Sequence, residues 1–239
     1  MTTQSSSRPL GAAVPGWTPP PRPTGDILDG RHARLEPLTR AHAEPLFKAY
    51  EGADWLWDYM PNGPFPSAEA YAAWVEGVAG GTDPVFYAIY DKDSGAWGGV
   101  ASYLRITPEA GSIEVGFINF APRLQRTRAA TEAMALMAGW AFDAGYRRYE
   151  WKCDSLNRPS RRAAQRLGFS YEGLFRQATV VKGRNRDTAW FAMIDIDWPA
   201  LKAAYDRWLD PANFDAEGQQ RESLADLTRP VLVSADPEM

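Results

Sequence analysis

The run Arg123-Leu-Gln-Arg-Thr-Arg-Ala-Ala-Thr-Glu-Ala133 packs three arginines, two threonines and small residues into the start of a helical pattern. The first turn of a helix leaves backbone N–H groups unpaired, its dipole adds partial positive charge, and the guanidinium groups add full charges. Residue types in that order suit a phosphate; the plain alternative is a solvated, arginine-rich helix start. Glu114 lies just upstream, in Ser112-Ile-Glu-Val-Gly-Phe-Ile-Asn-Phe120, where a carboxylate could take a proton, anchor an amine or pair with an arginine. Further on, Asn157-Arg-Pro-Ser160 opens a short helix with two polar side chains, each able to cap it or to meet a ligand. Trp55, Trp57 and Tyr59 crowd a turn-rich loop, suited either to a small-molecule pocket or to core packing.

These residues need strands and helices to hold them. Ala33–Leu38 reads as a short strand, and Thr39 as the cap of a helix reaching about Tyr50, with Pro45 able to delay it. Ser67 caps a second helix, in which Ala70, Tyr71, Trp74 and Val78 recur at helical spacing. Val85–Tyr90, Trp97–Ile106 and Ser112–Phe120 are strands joined by short turns, hence antiparallel neighbours. A long helix from about Thr127 to Ala144 follows, closed by Gly145. Then come the strand Tyr149–Cys153, a helix from about Arg158 to Leu167 with Pro159 in its first turn, and strands over about 169–181 and 189–197 joined by the turn 182–185. The order βααβββαβαββ describes an α+β fold: a mixed, mostly antiparallel sheet flanked by helices, with one strand–helix–strand crossover at its centre.

Composition removes several function classes. The chain has 239 residues and a net charge of −4, which gives no bulk electrostatic case for nucleic acid. No apolar run reaches bilayer-spanning length, and the N-terminus lacks a basic-then-apolar signal, so neither a membrane nor a secretory role is expected. One cysteine, Cys153, rules out an internal disulfide and fits a reducing, cytoplasmic setting. With only His32 and His42 beside it, a His/Cys zinc site is not expected, and no metal is assigned. Residues 1–26, rich in Ser and Pro, read as a mobile or wrapping arm; 27–210 as the folded domain with a C-terminal helix; and 211–239 as a polar acidic tail.

The element order and three motifs resemble the GNAT superfamily of acyl-CoA-dependent N-acetyltransferases, and within it the branch that includes the ribosomal-protein N-terminal acetyltransferases. The motifs are Ile113-Glu-Val-Gly-Phe117, the Gln125–Ala130 loop, and Arg148–Cys153 followed by Asn157-Arg-Pro-Ser160 and Arg166-Leu-Gly-Phe-Ser-Tyr-Glu-Gly173. The resemblance spans about Arg31 to Trp198. It departs at the phosphate loop, usually Gln/Arg-x-x-Gly-x-Gly/Ala, because no glycine lies between Gly116 and Gly139. The two glycine positions match Arg126 and Arg128, or Arg128 and Ala130, and side chains there call for helical rather than positive φ.

The resemblance implies acetyl-CoA as co-substrate and a primary amine, of a small molecule or a peptide N-terminus, as acceptor. It implies a V-shaped split between two central strands, in which the pantetheine arm pairs with Phe117, Ile118 and Asn119. The loop Gln125, Arg126, Thr127, Arg128, Ala129 and Ala130 would take the phosphates, and Asn157 the arm. Ser160 would donate to the departing thiolate, and a backbone N–H near Phe117–Ile118 would serve the oxyanion. Glu114, on the central strand shortly before the point where pantetheine would dock, is the candidate base, directly or through water, with Asp154 the lesser one; a glutamate that some ribosomal-protein enzymes carry later is replaced by Thr179. Trp55, Trp57 and Tyr59 fall where the family shapes its acceptor pocket. A homodimer is plausible from the family. Arg161, Arg162 and Arg166 read as a solvated helix face, with one of them reaching the ribose phosphate as the alternative, and Cys153 as a small buried residue. The competing reading is a catalytically silent CoA-binding sensor or scaffold.

Overall fold

Val85-Phe-Tyr-Ala-Ile-Tyr90 is apolar at every position, the mark of a strand covered on both faces. It lies inside an eight-stranded sheet in the computed structural model, which describes residues 8–238. The strands are β1 (Leu28–Asp29), β2 (Ala33–Pro37), β3 (Val85–Asp91), β4 (Ala96–Thr107), β5 (Ser112–Phe120), β6 (Arg148–Asp154), β7 (Ser170–Val181) and β8 (Arg184–Ile194). Their spatial order is β1-β2-β3-β4-β5-β6-β8-β7. Neighbours are antiparallel except β5 and β6, which the crossover makes parallel. This is the mixed α+β architecture that the sequence predicts, with β1 added at one edge.

Helices cover both faces. α1 (Ala43–Ala49) and α2 (Ala68–Val78) close one face over Leu46, Tyr71, Val75, Phe86, Ala88 and Val100. α3 (Arg128–Asp143), α4 (Arg158–Arg166), α5 (Trp198–Leu209) and α6 (Leu224–Thr228) close the other, where Met134, Met137, Ala164, Leu201 and Leu224 share one core with Ile113, Val115 and Trp151. Thr39 is followed by a single 3₁₀ turn, Arg40–His42, and α1 starts only at Ala43, so Pro45 sits in a first turn that needs no N–H from it. The last hairpin is tighter than its composition suggests. Lys182 and Gly183 both take positive φ, the two-residue geometry that matches strand twist, and β8 therefore begins at Arg184 rather than near residue 189.

Both terminal segments pack. Of the arm expected over 1–26, the described part lies along the domain: the Arg147 guanidinium sits 5.6 Å from the Trp17 ring, Tyr146 donates to the Pro21 carbonyl, and Arg22 donates to that of Ile106. The segment from Pro211 on, expected as a polar tail, is no free tail. It forms a 3₁₀ turn, a bridge between Phe214 and Gln220, and α6. It ends with Asp236 wholly buried against Arg161. Its acidic composition hid the fact that one of those acids has a buried partner.

Candidate active site

The site begins where the sheet comes apart. β5 and β6 are in register only over Ser112–Val115 and Arg148–Trp151; beyond these pairs β6 continues against β8 alone. On its other side β5 is bulged, because two residues, Phe117 and Ile118, stand between the pairs Gly116↔Ser102 and Asn119↔Val100, where β4 has only Ala101. Phe117 takes φ +48 in this bulge. Among the described residues neither Phe117 nor Ile118 has a register partner. Phe117 packs on Phe86 toward α2, whereas Ile118 packs on the α3 core. Asn119 is buried, its carbonyl accepts from the Tyr50 hydroxyl, and its Nδ2 has no partner among the described residues. A buried amide N–H₂ without an acceptor is costly, so this end of β5 suits an added polar ligand.

The expected phosphate loop leads from β5 into α3. Arg126 holds φ +63, a left-handed backbone normally left to glycine. This corrects the expectation of helical φ: the loop keeps the glycine shape without glycine. Arg126 is exposed. Thr127 caps α3, its hydroxyl accepting from the Ala130 N–H at 3.0 Å. The side chains of Ala129 and Ala130 are buried in the core, so only backbone can serve a ligand there, and the N–H groups of Arg128 and Ala129 are the open first-turn donors. The Arg128 guanidinium lies 4.3 Å from the Phe214 ring, held at the helix tip by the C-terminal segment. Gln125 turns away, donating from Nε2 to the Phe120 carbonyl.

Alternation on β5 sends Ile113 and Val115 into the α3 core and Glu114 to the opposite face. There Glu114 is 2% exposed, with Arg105 Nη1 2.7 Å from Oε1 and Lys152 Nζ 2.9 Å from Oε2. Burial pushes its carboxyl above the usual range, and Lys152 and Arg105 oppose that shift. Lys152 also contacts Glu150 at 2.7 Å and lies 3.9 Å from the Trp190 ring centroid. Burial would raise Glu150 too, but Lys152 and Arg148 hold it below its usual value. The sequence reading anticipated an arginine partner as one role for Glu114, yet singled out neither Arg105 nor Lys152. The parallel register Glu114↔Glu150 carries the missing signal, since Lys152 shares a face with Glu150.

Ser160 and Asn157 lie on the other face. Asn157 caps α4, accepting from the Ser160 N–H at 3.1 Å. The Ser160 hydroxyl accepts from Trp151 Nε1 at 3.0 Å, which leaves its own proton to donate. Cys153 is buried nearby, its thiol pushed up to about 11 by burial, as suits a packing residue rather than a nucleophile. Arg161, Arg162 and Arg166 do not form one solvated face. Of these three only Arg162 is exposed. Arg161 is buried, and Arg166 lies over the Trp208 ring and donates to Thr131. Asp154 spends one carboxylate oxygen on the Leu156 N–H of its own turn. Glu114 and Ser160 thus stand on opposite sides of the split, joined through the Glu150–Trp151 step of β6.

The aromatic loop covers the Glu114 side. Trp57 is buried among Tyr50, Phe65 and Tyr71, while Trp55 and Tyr59 are exposed. The Tyr59 hydroxyl donates to the Leu156 carbonyl, and Lys182 donates to that of Trp57, so the loop bridges the β6–α4 turn and the β7–β8 hairpin. Beside it a 160 Å³ pocket opens among Phe47, Tyr50, Asp54, Trp57 and Phe65. Among the described residues no cluster of three or more His, Cys, Asp or Glu could hold a metal, and no helix is long and apolar enough to cross a membrane.

Comparison with known proteins agrees with this geometry. No curated protein matches the chain. A family model described as acetyltransferase (GNAT) domain matches residues 32–170. Among solved structures, a GCN5-related N-acetyltransferase from Brucella melitensis is 46% identical, with a TM-score of 0.88 over 90% of this chain and 100% of that one. A probable acetyltransferase of the GNAT family from Chromobacterium violaceum is 40% identical, with a TM-score of 0.74 over 81% of this chain and all of its own. An acetyltransferase from Salmonella typhimurium that modifies the N-terminal serine of ribosomal protein L7/L12 is 21% identical and shares the fold, with a TM-score of 0.62 over 71% of this chain and 99% of its own. With β5 bulged where the parallel pair splits and a capped helix tip at its end, the match over 32–170 makes this protein a member of the GNAT acetyltransferase family.

Proposed function

We propose that the chain transfers an acetyl group from acetyl-CoA to a primary amine, of a small molecule or a protein N-terminus, by direct attack. The observation that carries this reading is the unpaired stretch of β5, with its orphaned Asn119 amide, ending at a helix tip that offers two open N–H groups. When bound, acetyl-CoA supplies the thioester carbonyl that the amine attacks. Phe117, Ile118 and Asn119 would hold the pantetheine arm through their backbone, as a sheet edge takes an added strand. Arg126, Arg128 and the first turn of α3 would hold the phosphates. A Phe117 or Ile118 N–H would donate to the carbonyl oxygen as it gains charge. Ser160 would give its free O–H to the leaving sulfur. Glu114 would take the amine proton, directly or through water. Trp55 and Tyr59, with the rim of Trp57, would bound the amine.

One observation favours the silent-module reading instead: both oxygens of Glu114 already meet cations. A panel of amines with acetyl-CoA, read by thiol release, decides between them. Release above hydrolysis for at least one amine is expected. Tight CoA binding with no release for any amine would establish the module.

A further inference from the structure

The charged residues on the α1/α2 face of the split form a single file. Arg105, Glu114, Lys152, Glu150, Arg148 and Glu172 alternate in sign, with contacts of 2.7, 2.9, 2.7 and 2.6 Å along the first five and a two-pronged contact from Arg148 to Glu172. Arg105 comes from β4, Glu114 from β5, Glu150 and Lys152 from β6, and Trp190 of β8 floors Lys152. Among the described residues, Arg105 and Lys152 are the only charged groups within ion-pair reach of Glu114. Packed on this face are Tyr50 at the end of α1, Tyr71 of α2 and Phe86 of β3, none of them a charged partner. Asp83, in the loop before β3, accepts the N–H groups of Arg105 and Ile106 and so fixes the backbone that carries Arg105.

Two features single out Lys152. Its side chain is 9% exposed, so its charge is not screened as that of Arg105 is at 61%. It also touches two carboxylates at once. A proton arriving on Glu114 therefore does not strand the ammonium, because Glu150 remains at 2.7 Å and the Trp190 face beneath it. Building on the reading of Glu114 as base, we propose that Lys152 is a positioning residue that sets the proton affinity of Glu114 by dividing its charge between Glu114 and Glu150. In the step, the amine N–H bond breaks with its electron pair left on nitrogen, and an O–H bond forms on Glu114. Lys152 rests on Glu150 as this happens, and no other proton moves. The occupied oxygens that favour a silent module thereby become the means of tuning a base.

The signs are fixed by the geometry. Activity needs the Glu114 carboxylate, so the rate falls as pH drops through its titration. Removing the cation in Lys152→Met makes the carboxylate harder to keep, and the acidic limb of the kcat/KM profile moves up by about 1–3 pH units, the usual effect of one close opposite charge. Removing the competing anion in Glu150→Gln leaves Lys152 to Glu114 alone, and the limb moves down. Lys152→Arg keeps the limb near its original place. The Glu114 carboxyl, followed by carbon-13 NMR across the same pH range, should shift in the same directions whether or not substrate turns over. A merely structural lysine would move neither the limb nor the resonance. If Lys152→Met does not fold, Glu150→Gln, which is isosteric, decides: a downward move supports the proposal, and an unmoved resonance overturns it. Glu114→Gln separates the two levels. A limb that survives in it overturns the base reading, whereas a limb lost in it but unmoved in the Lys152 and Glu150 variants overturns only the role of Lys152.

Discussion

Asp236→Ala is expected to destabilise this protein more than any other change in its last thirty residues. The Asp236 side chain is 0% exposed and that of Arg161 2%, and the carboxylate accepts from the Arg161 Nε at 2.6 Å and Nη2 at 2.5 Å. Removing one partner of a buried pair strands the other charge, which costs about 3–5 kcal/mol. Arg161 keeps two further acceptors, the Ser155 carbonyl at 2.8 Å and the half-exposed Glu238 at 2.7 Å, so the lower end, about 3 kcal/mol, applies. For a chain of this length that corresponds to a fall in Tm of about 6–12 °C. Denaturant unfolding of the variant beside the parent measures it, with an unchanged m-value confirming that the folded state is the same. Replacing both partners, Arg161→Met with Asp236→Leu, should recover more than half of the loss, because no lone charge then remains buried. A loss below about 0.5 kcal/mol in the single variant would place it with ordinary surface substitutions and refute the reasoning.

Three further outcomes are expected. Glu132 accepts the N–H groups of Arg31, His32 and Ala33 at 3.0, 2.5 and 2.6 Å, so Glu132→Ala should cost at least about 2 kcal/mol by leaving donors unpaired, measured by denaturant titration. Charge reversal at Arg126 or Arg128 should weaken acetyl-CoA binding about tenfold, more at low salt, with the amine KM unchanged; equal calorimetric affinities would remove both from the phosphate site. Ser160→Ala should lower kcat about tenfold or more with little change in KM, the signature of a contact made to developing charge and worth about 1.5–3 kcal/mol, while equal losses in binding and turnover would assign Ser160 to ground-state binding.

The parts of this fold that follow from local chemistry were readable in advance. Ser67 caps the helix it opens, Gly145 closes α3 in positive φ, and the strand 112–120 has its predicted bounds. What depends on register or on distant partners was not. Glu150 and Lys152 share a face by simple alternation, but only the parallel pairing with β5 brings that face beside Glu114. Arg126 in the left-handed region runs against residue preference; a cap at Thr127 and the Gln125 tie to β5 hold the loop around it. Arg161 and Asp236 are 75 residues apart, and an acidic, proline-bearing segment gives no local sign that one of its carboxylates has a buried partner.

The two faces of the split are built on different principles. On the α3/α4 face, both helices that would face acetyl-CoA are braced from outside themselves. Glu132 ties α3 to the loop before β2, Phe214 backs Arg128 at the helix tip, and Asp236 ties α4 through the residue next to Ser160. These are neutralised or satisfied contacts whose value is fixed position, which suits groups that must meet a long ligand at several points. On the Glu114 face the charges are not fixed one to one, since Lys152 serves two carboxylates. A shared cation is a poor brace but a good regulator of a proton, because its energy changes little as it moves between partners. Rigidity therefore lies where the common ligand would bind and adjustability where the proton would move, and any substrate specificity of this protein should be sought on the second face.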